Sequence, residues 1–236
     1  MSRTFSLSDP STLDDLQVFL SRAARIEEGS VRLIAGSGIL AVYAAIFYPV
    51  GLLDETPTVL GLRTATLAPG TDGVAAEFDV VVPILSLLQR IESAQQKHAQ
   101  HPVADPGHPR SVTISLPMEV HTVTWAAISP PRGGWRAVPA TSPALLDDAA
   151  HAGISEVAAA IPTGTGEQIV RRVRSEIWGK PIEGLEHVPA GAAFAALSLG
   201  FLGEDEVRLY ETGPWTRLTT QRGHVLVKRK AWTLAR

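Results

Sequence analysis

The 236-residue chain contains no cysteine, and this absence removes several functional classes at once. Without thiols the chain cannot form disulfide bonds, a cysteine-type zinc finger, an iron–sulfur cluster or a cysteine nucleophile. Lysine is also scarce, with 4 lysines against 17 arginines, and the net charge is −3. A globally basic nucleic-acid-binding protein is therefore excluded, although a local basic patch is not. Hydrophobic residues form 45% of the sequence, which excludes disorder along the whole chain.

Charge is absent from the 21 residues between Leu33 and Leu53, a run long enough to span a bilayer. Gly36-Ser37-Gly38 and Pro49 interrupt it, so the run predicts two buried strands joined at the glycines rather than a membrane helix. A second uncharged run, Val188 to Gly203, is interrupted in the same way and is also expected in the core. The N-terminus lacks the apolar segment of a signal peptide, and we expect a soluble, cytoplasmic protein with no membrane contact.

The N-terminal part of the chain is predicted to form a helix, four strands and a second helix. Asp9 followed by Pro10 is a typical helix start, and apolar residues then recur at spacings of three and four. Turn-forming sequences separate the four strand-like runs, which favours antiparallel pairing between neighbours. We therefore predict an αββββα unit over residues 1–97, with strands at 31–35, 39–48, 58–67 and 74–82 and a second helix from Pro83.

Residues 98–110 are polar and rich in proline, and they are predicted to be a linker between two parts of the chain. The segment contains His98, His101 and His108, three residues of a type that binds metal ions. A proline-rich linker does not hold imidazole rings in a fixed geometry, so no metal site is predicted there. No motif for a cofactor is present elsewhere in the sequence.

The second part, residues 111–236, is predicted to be an α+β unit that ends in a β-hairpin. Ser142 is expected to cap a helix that Gly153 stops, and a further helix covers 166–178. Gln221-Arg222-Gly223 is a hairpin signal between the last two strands. Because strands and helices are segregated, we predict an α+β fold of antiparallel sheets with flanking helices, in two subdomains or one bilobed domain. The expected strands of this part are 112–116, 119–129, 206–211, 215–220 and 224–230.

A glycine-containing loop enters the helix at 166–178 and is a candidate anion site. The free N–H groups of a helix start can bind an anion, and arginines follow within the first turns. The same residues also fit a simpler structure, in which Thr165 and Gln168 form a capping box, Ile169, Val173 and Ile177 are buried, and the arginines are solvated. The candidate ligand-binding residues are Thr163, Gly164, Thr165, Gly166, Arg171 and Arg174.

Glu119 and His121 form a second candidate, because alternate residues of a strand lie on the same face. A carboxylate two residues from a histidine could orient the imidazole and raise its basicity for acid–base chemistry. The pattern is short, and a surface pair with Trp125 in the core explains it equally simply.

The C-terminal residues 207–236 carry a net charge of +6, whereas the other 206 residues carry −9. The charge fits an edge hairpin that resists strand-to-strand aggregation, and we favour this interpretation. The alternative is nucleic-acid binding, because cations interleaved with aromatic residues can neutralise phosphates and stack bases. Arg132 and Trp135 would extend such a surface if the two regions meet. The candidate nucleic-acid residues are Arg217, Arg222, Lys228, Arg229 and Trp215.

Three stretches of the chain resemble a conserved, uncharacterised family of proteins from GC-rich actinobacteria. They are EVHTVTWAAISPPRGGW, PTGTGEQIVRRVRSEIWG and ETGPWTRLTTQRGHVLVKR. The resemblance implies a bacterial cytosolic protein, and it implies no activity, cofactor or catalytic residue.

The motifs of several large enzyme groups are absent: the nucleophile elbow, the zinc-protease motif, the P-loop and the dinucleotide fingerprint. A binding or interaction protein is therefore favoured over an enzyme. Its partner could be a small anion, another protein or a second copy of the chain. Two alternatives stay open: an enzyme that acts on a phosphorylated or anionic small molecule, and nucleic-acid binding through the C-terminal hairpin.

Overall fold

The computed structural model describes residues 3–51, 54, 56–70, 73–100, 111–161 and 164–228. Helices and antiparallel strands form two lobes, and the predicted α+β class is confirmed. The chain divides into two compact units that do not follow chain order. Unit 1 consists of Met1–Ala44 and Leu62–Ala126, and unit 2 consists of Ala45–Gly61 and Ala127–Arg236.

The described residues of unit 1 form two helices and the strands before, between and after them in the sequence. The first strand, β1 (Thr4–Leu7), was not predicted from the sequence and pairs with β6 (Val112–Ser115) in a two-stranded sheet. A larger sheet contains, in spatial order, β5 (Phe78–Pro83), β2 (Ser30–Gly36), β3 (Ile39–Phe47) and β4 (Thr58–Thr66). The last residues of β3 and the first of β4 belong to unit 2. The elements are β1 (Thr4–Leu7), α1 (Ser11–Ile26), β2 (Ser30–Gly36), β3 (Ile39–Phe47), β4 (Thr58–Thr66), β5 (Phe78–Pro83), α2 (Ile84–Gln100) and β6 (Val112–Ser115).

The predicted pair of strands in the uncharged run is confirmed as the hairpin β2–β3. Its two-residue turn has positive φ at Ser37 (52°) and Gly38 (76°), the conformation that gives the tightest hairpins. Alternate residues Val31, Leu33 and Ala35 of β2 are buried. Within the described part of the chain, no helix is both long and apolar enough to cross a membrane.

The core of unit 1 forms between the two helices and the strands that they cover. The helix α1 is amphipathic as predicted, and Asp9 accepts hydrogen bonds from the backbone N–H (2.9 Å) and the hydroxyl (2.7 Å) of Ser11. α2 packs against α1, β5 and β6. It continues to Gln100, so residues 98–100 of the predicted linker are helical, and residues 101–110 lie outside the described residues. The buried helix residues are Leu13, Leu16, Phe19, Leu20, Ala23, Ile84, Leu87, Ile91 and Ala94.

Unit 2 combines three helices with a sheet in which β4, β12, β11, β10 and β7 are successive neighbours. The hairpin at Gln221–Gly223 is confirmed, with Thr220 paired to Gly223. Both of its strands lie inside the sheet, so the prediction of an edge hairpin is wrong. The elements are β7 (Arg136–Thr141), α3 (Pro143–Ala160), α4 (Glu167–Gly179), β8 (Pro181–Ile182), β9 (Leu185–Pro189), α5 (Ala190–Ser198), β10 (Val207–Thr212), β11 (Trp215–Thr220) and β12 (Gly223–Lys228).

The helix α3 begins as predicted and ends later than predicted. The Ser142 hydroxyl caps it by accepting from the Leu145 N–H at 3.1 Å. Gly153 does not stop the helix but lies inside it, at a position where a Cβ atom would overlap the ring of Trp178. Trp178 forms an aromatic cluster with Phe47 and Phe194, with ring centroids 6.0 and 4.6 Å away. Gly153 is therefore a packing residue of a continuous helix.

Candidate functional site

The segment that carries Glu119 and His121 is not a strand, so that prediction is wrong. Residues 119–123 are irregular, and Thr124–Ala127 is a 3₁₀ helix. Glu119 accepts a hydrogen bond from Arg3 Nη1 at 2.9 Å, and His121 is exposed. The shared strand face that motivated an acid–base pair therefore does not exist, and a catalytic role for these residues stays a prediction.

Tertiary contacts within unit 1 explain why this β-branched segment is irregular. The Val120 N–H donates to the Val81 carbonyl at 2.8 Å, which brings the segment beside β5. Arg32 donates to both carboxylate oxygens of Asp79, at 2.8 and 2.7 Å, and to the Ala126 carbonyl at 2.7 Å. The hydrogen bonds to Asp79 raise the pKa of Arg32. A fixed cation thus holds the 3₁₀ helix in place.

The candidate anion loop lies at the start of α4, where Gly166 and not Thr165 is the N-cap residue. The Gly166 N-cap has no side chain with which to form the predicted capping box. Gly164 has a φ of 85°, and Thr163 lies outside the described residues. Ile169 was predicted to be buried and is 60% exposed, whereas Ile177 is buried as predicted.

The two arginines of the candidate anion site already contact groups of the protein. Arg171 Nη2 donates to the Glu167 carboxylate at 2.7 Å, one turn earlier on α4. The Arg174 guanidinium lies over the Phe47 ring, 5.7 Å from its centroid. An anion at the helix start would have to compete with Glu167 for Arg171. Anion binding by this loop therefore stays a prediction with no added support.

Arg171 also acts on Asp54, whose carboxylate organises the loop before β4. Partial burial raises the pKa of Asp54. Three hydrogen bonds lower it: one from the Thr56 hydroxyl at 2.6 Å, and one each from the N–H groups of Val50 and Thr56. The positive charge of Arg171 acts in the same direction, and the net effect is a lowered pKa. The Thr56 hydroxyl also contacts the Ser175 hydroxyl at 2.7 Å.

We expect Asp54→Asn to destabilise the protein at neutral pH and to have little effect in acid. A lowered pKa in the folded state means that the ionised carboxylate stabilises the fold above the unfolded-state pKa of about 3.9, and that this contribution is lost as pH falls through the folded pKa. Urea unfolding of both proteins at pH 7 and in acid measures the effect. An equal difference at both pH values would contradict it.

The cations of the C-terminal strands share one face of the unit 2 sheet. Arg208 is opposite Thr219, Tyr210 is opposite Arg217, and Lys228 is opposite Trp215. Directly paired residues point to the same face, so Arg208, Arg217 and Lys228 lie on one side of three adjacent strands. We call this side the cationic face. Its nine strand residues include no carboxylate: Arg208, Tyr210, Thr212, Trp215, Arg217, Thr219, His224, Leu226 and Lys228.

Arg217 is held between two aromatic rings at the centre of this face. Its guanidinium carbon lies 4.6 Å from the ring centroid of Trp135 and 4.6 Å from that of Tyr210. The Trp135 indole N–H donates to the Pro131 carbonyl at 3.1 Å, which fixes the ring. Trp135 thus contacts the basic stretch, which was the condition for extending a nucleic-acid surface, while that surface itself stays a prediction. Burial lowers the pKa of Arg217, and Tyr210 acts in the opposite direction.

The other predicted nucleic-acid residues differ in position and in exposure. Trp215 is on this face but only 4% exposed, so burial gives no support to its predicted stacking role. Arg222 lies in the β11–β12 turn, where its Nη1 donates to the Leu202 carbonyl at 3.0 Å beside Glu204 and Asp205. Arg208 is exposed and Lys228 is half-buried. Arg229 lies outside the described residues.

The histidines of the predicted linker give no metal centre in the part of the chain that the structure describes. His98 is on α2, and His101 and His108 are outside that part. No group of three histidine, aspartate or glutamate side chains with the geometry of a metal site occurs among the described residues.

Two family models match the chain, and both describe domains of unknown function. Residues 1–113 match DUF8010, and residues 130–232 match DUF8185. These matches support the resemblance to an uncharacterised family that the sequence indicated, while restriction to actinobacteria stays a prediction. No curated protein matches the chain.

Several solved structures of bacterial sliding clamps are similar to the chain at low sequence identity. The Caulobacter crescentus polymerase III beta structure is 12% identical with a TM-score of 0.49, covering 99% of this chain and 66% of that one. The Pseudomonas aeruginosa DNA polymerase III subunit beta is 14% identical, with a TM-score of 0.44 and coverages of 100% and 66%. The chain thus spans 66% of the length of these relatives. None of these values identifies a shared function.

Proposed function

We propose that the protein is a binding protein and that unit 2 binds a polyanion on the cationic face. The observation that carries the proposal is the placement of Arg208, Arg217 and Lys228 on one side of three adjacent strands, with no carboxylate among the nine strand residues of that side. The chain as a whole carries a net charge of −3. A local concentration of one sign of charge attracts ligands of the opposite sign.

The position of these strands removes the competing explanation for their charge. Charged side chains on an edge strand prevent aggregation. β10, β11 and β12 each have a neighbouring strand on both sides, so their backbone groups need no such protection. The outer strand of this series is β7, which has a proline and a bulge in its pairing with β10. Edge protection therefore applies to β7 and leaves the three cations for another role.

A protein partner has weaker support from unit 2. The large exposed apolar side chains among its described residues are Val50, Ile154 and Ile169, and single exposed apolar residues are ordinary on protein surfaces. The enzyme alternative has lost the strand that would have carried Glu119 and His121. A charged surface is thus the stronger basis for a function.

The test is a charge reversal on the cationic face, Arg208→Glu with Lys228→Glu. We expect it to weaken binding of a labelled oligothymidylate about 30-fold at low salt, from about 1 kcal/mol for each reversed charge. A plot of log affinity against log salt concentration should have a slope of about −2 for three phosphate contacts. The variant keeps one of these contacts, so its slope should be about −0.7. Fluorescence anisotropy at several salt concentrations measures both quantities.

The matched control reverses two exposed arginines of unit 1, Arg25→Glu with Arg90→Glu, which lie on α1 and α2. This variant has the same net charge as the test variant and should bind nearly as the unmodified protein does. Equal loss of affinity in both variants would show that only net charge matters and would overturn the proposed face.

A further inference from the structure

We propose that the polyanion is a single-stranded nucleic acid and that Trp135, Arg217 and Tyr210 form the subsite that contacts its bases and one phosphate. This inference rests on the proposed function and names the ligand of the same face. Its basis is the aromatic stack, which a surface that only attracts charge does not require. We call these three residues the stacked triad.

Among the residues that the structure describes, no carboxylate forms an ion pair with Arg217. Burial lowers the pKa of the guanidinium, because the charged form loses part of its hydration. Arg217 Nε is buried and has no hydrogen-bond partner among the described residues. The two ring faces therefore supply the stabilisation that a counterion would otherwise give. A cation held in this way, with its planar fork fixed in direction, is suited to donate to a phosphate.

The arrangement of the three cations fits a linear ligand. In the strand register, Arg208 lies two residues beyond Arg217 toward one end of the sheet, and Lys228 lies two residues beyond it toward the other. Each of these two residues is a diagonal neighbour of Arg217 on the adjacent strand, and residue positions related in this way are about 7–8 Å apart. The three residues thus lie on an oblique line across three strands, with Arg217 in the middle. A chain of phosphates can follow such a line, whereas a single small anion would contact one cation.

The aromatic rings provide a contact that bases can make and that phosphates cannot, which is stacking. Trp135 and Tyr210 are both half-buried residues that contact Arg217, the central cation of the line. Bases stack on such rings without regard to sequence, and a charged groove beside stacking rings is the usual surface for single strands. In a duplex the bases are already stacked on each other and are not free to make this contact.

The experiment compares three probes of equal length at about 50 and 200 mM salt: oligothymidylate, an abasic phosphodeoxyribose strand and a DNA duplex. We expect oligothymidylate to bind about tenfold more tightly than the abasic strand, the gain typical of one stacked base. Trp135→Leu should remove most of the difference in affinity between oligothymidylate and the abasic strand, because any weakening of the phosphate contact of Arg217 lowers both affinities alike, whereas loss of stacking lowers only that of oligothymidylate. Trp135→Phe, which keeps a ring, should retain most of the preference.

An independent measurement is the indole N–H resonance of Trp135 during titration, which should move with oligothymidylate and less with the abasic strand. The thermal unfolding midpoint of each variant shows whether it is folded.

Equal affinity for oligothymidylate and abasic strand would overturn the stacked triad as a base subsite while leaving polyanion binding intact. Tighter binding of the duplex would overturn the choice of a single strand. Absence of binding to all three probes would overturn both proposals.

Discussion

Replacing Trp178 by alanine is expected to lower the free energy of unfolding by about 3–5 kcal/mol, the usual cost of removing a large buried ring. Trp178 is 2% exposed and lies within 6.0 Å of the Phe47 ring centroid and 4.6 Å of that of Phe194. The same ring occupies the space beside Gly153 on α3. Its loss would therefore leave a cavity bordered by β3, α3 and α5. Urea unfolding of the unmodified protein and of the variant measures the loss of stability.

Gly153 provides the check that this packing has the described geometry. A methyl group at residue 153 would lie 2.2 Å from Trp178 Cζ3, so Gly153→Ala should lower stability by about 2 kcal/mol through overpacking. In a Trp178→Ala background the same change should raise stability by up to about 1 kcal/mol, because alanine is the better helix former. Ser155→Ala, at an exposed position of the same helix, is the control. The absence of a change in sign would contradict the contact.

The difference between the predicted and observed α3 shows what local sequence information lacks. The Ser142 cap is a local hydrogen bond, and it was predicted correctly. The glycine eleven residues later carries the same local signal as a helix stop, but its role depends on a tryptophan from another helix. Sequence patterns do not specify such contacts between distant residues. The helix length was therefore wrong although its start was right.

The segment 119–129 shows the same limit for strands. Its alternating β-branched residues favour a strand by propensity, yet the observed 3₁₀ helix is held by Arg32 from β2. Strand propensity depends on packing against neighbours, and among the described residues this segment contributes no strand to a sheet, although the Val120 N–H donates to Val81 of β5. The hairpins β2–β3 and β11–β12 were predictable because their turn residues fix the pairing locally.

The candidate site was predictable in part. The turn after Thr220 fixes the opposition of Arg217 and Leu226 and of Trp215 and Lys228, so a shared face could be derived from the sequence alone. The position of the hairpin inside the sheet depends on pairing of β12 with β4, which is more than 150 residues earlier in the chain. For the same reason the sequence did not indicate that Trp215 is buried and that Trp135, which precedes β7, provides the accessible ring.

The second large effect is expected for Gly223→Ala, at the first residue of β12. A Cβ atom at this position would lie 2.6 Å from two ring carbons of Phe201. Because Gly223 is buried within the sheet, either the ring or the hairpin must shift, and we expect a loss of about 3 kcal/mol, the upper end of the usual overpacking cost. Glycine is therefore present here for the close approach of a ring as well as for the turn.

Gly36→Ala is the matched control, because Gly36 also lies at a strand end beside a two-residue turn and has nothing within 4 Å of the added methyl group. We expect this change to alter stability by no more than about 1 kcal/mol. Urea unfolding of both variants gives the comparison, and equal stability would show that Phe201 does not approach the hairpin as described.

The result also bears on the cationic face, since Gly223 begins the strand that carries Lys228. A displaced β12 should weaken oligothymidylate binding in Gly223→Ala even where the protein stays folded, whereas Gly36→Ala should leave that affinity unchanged.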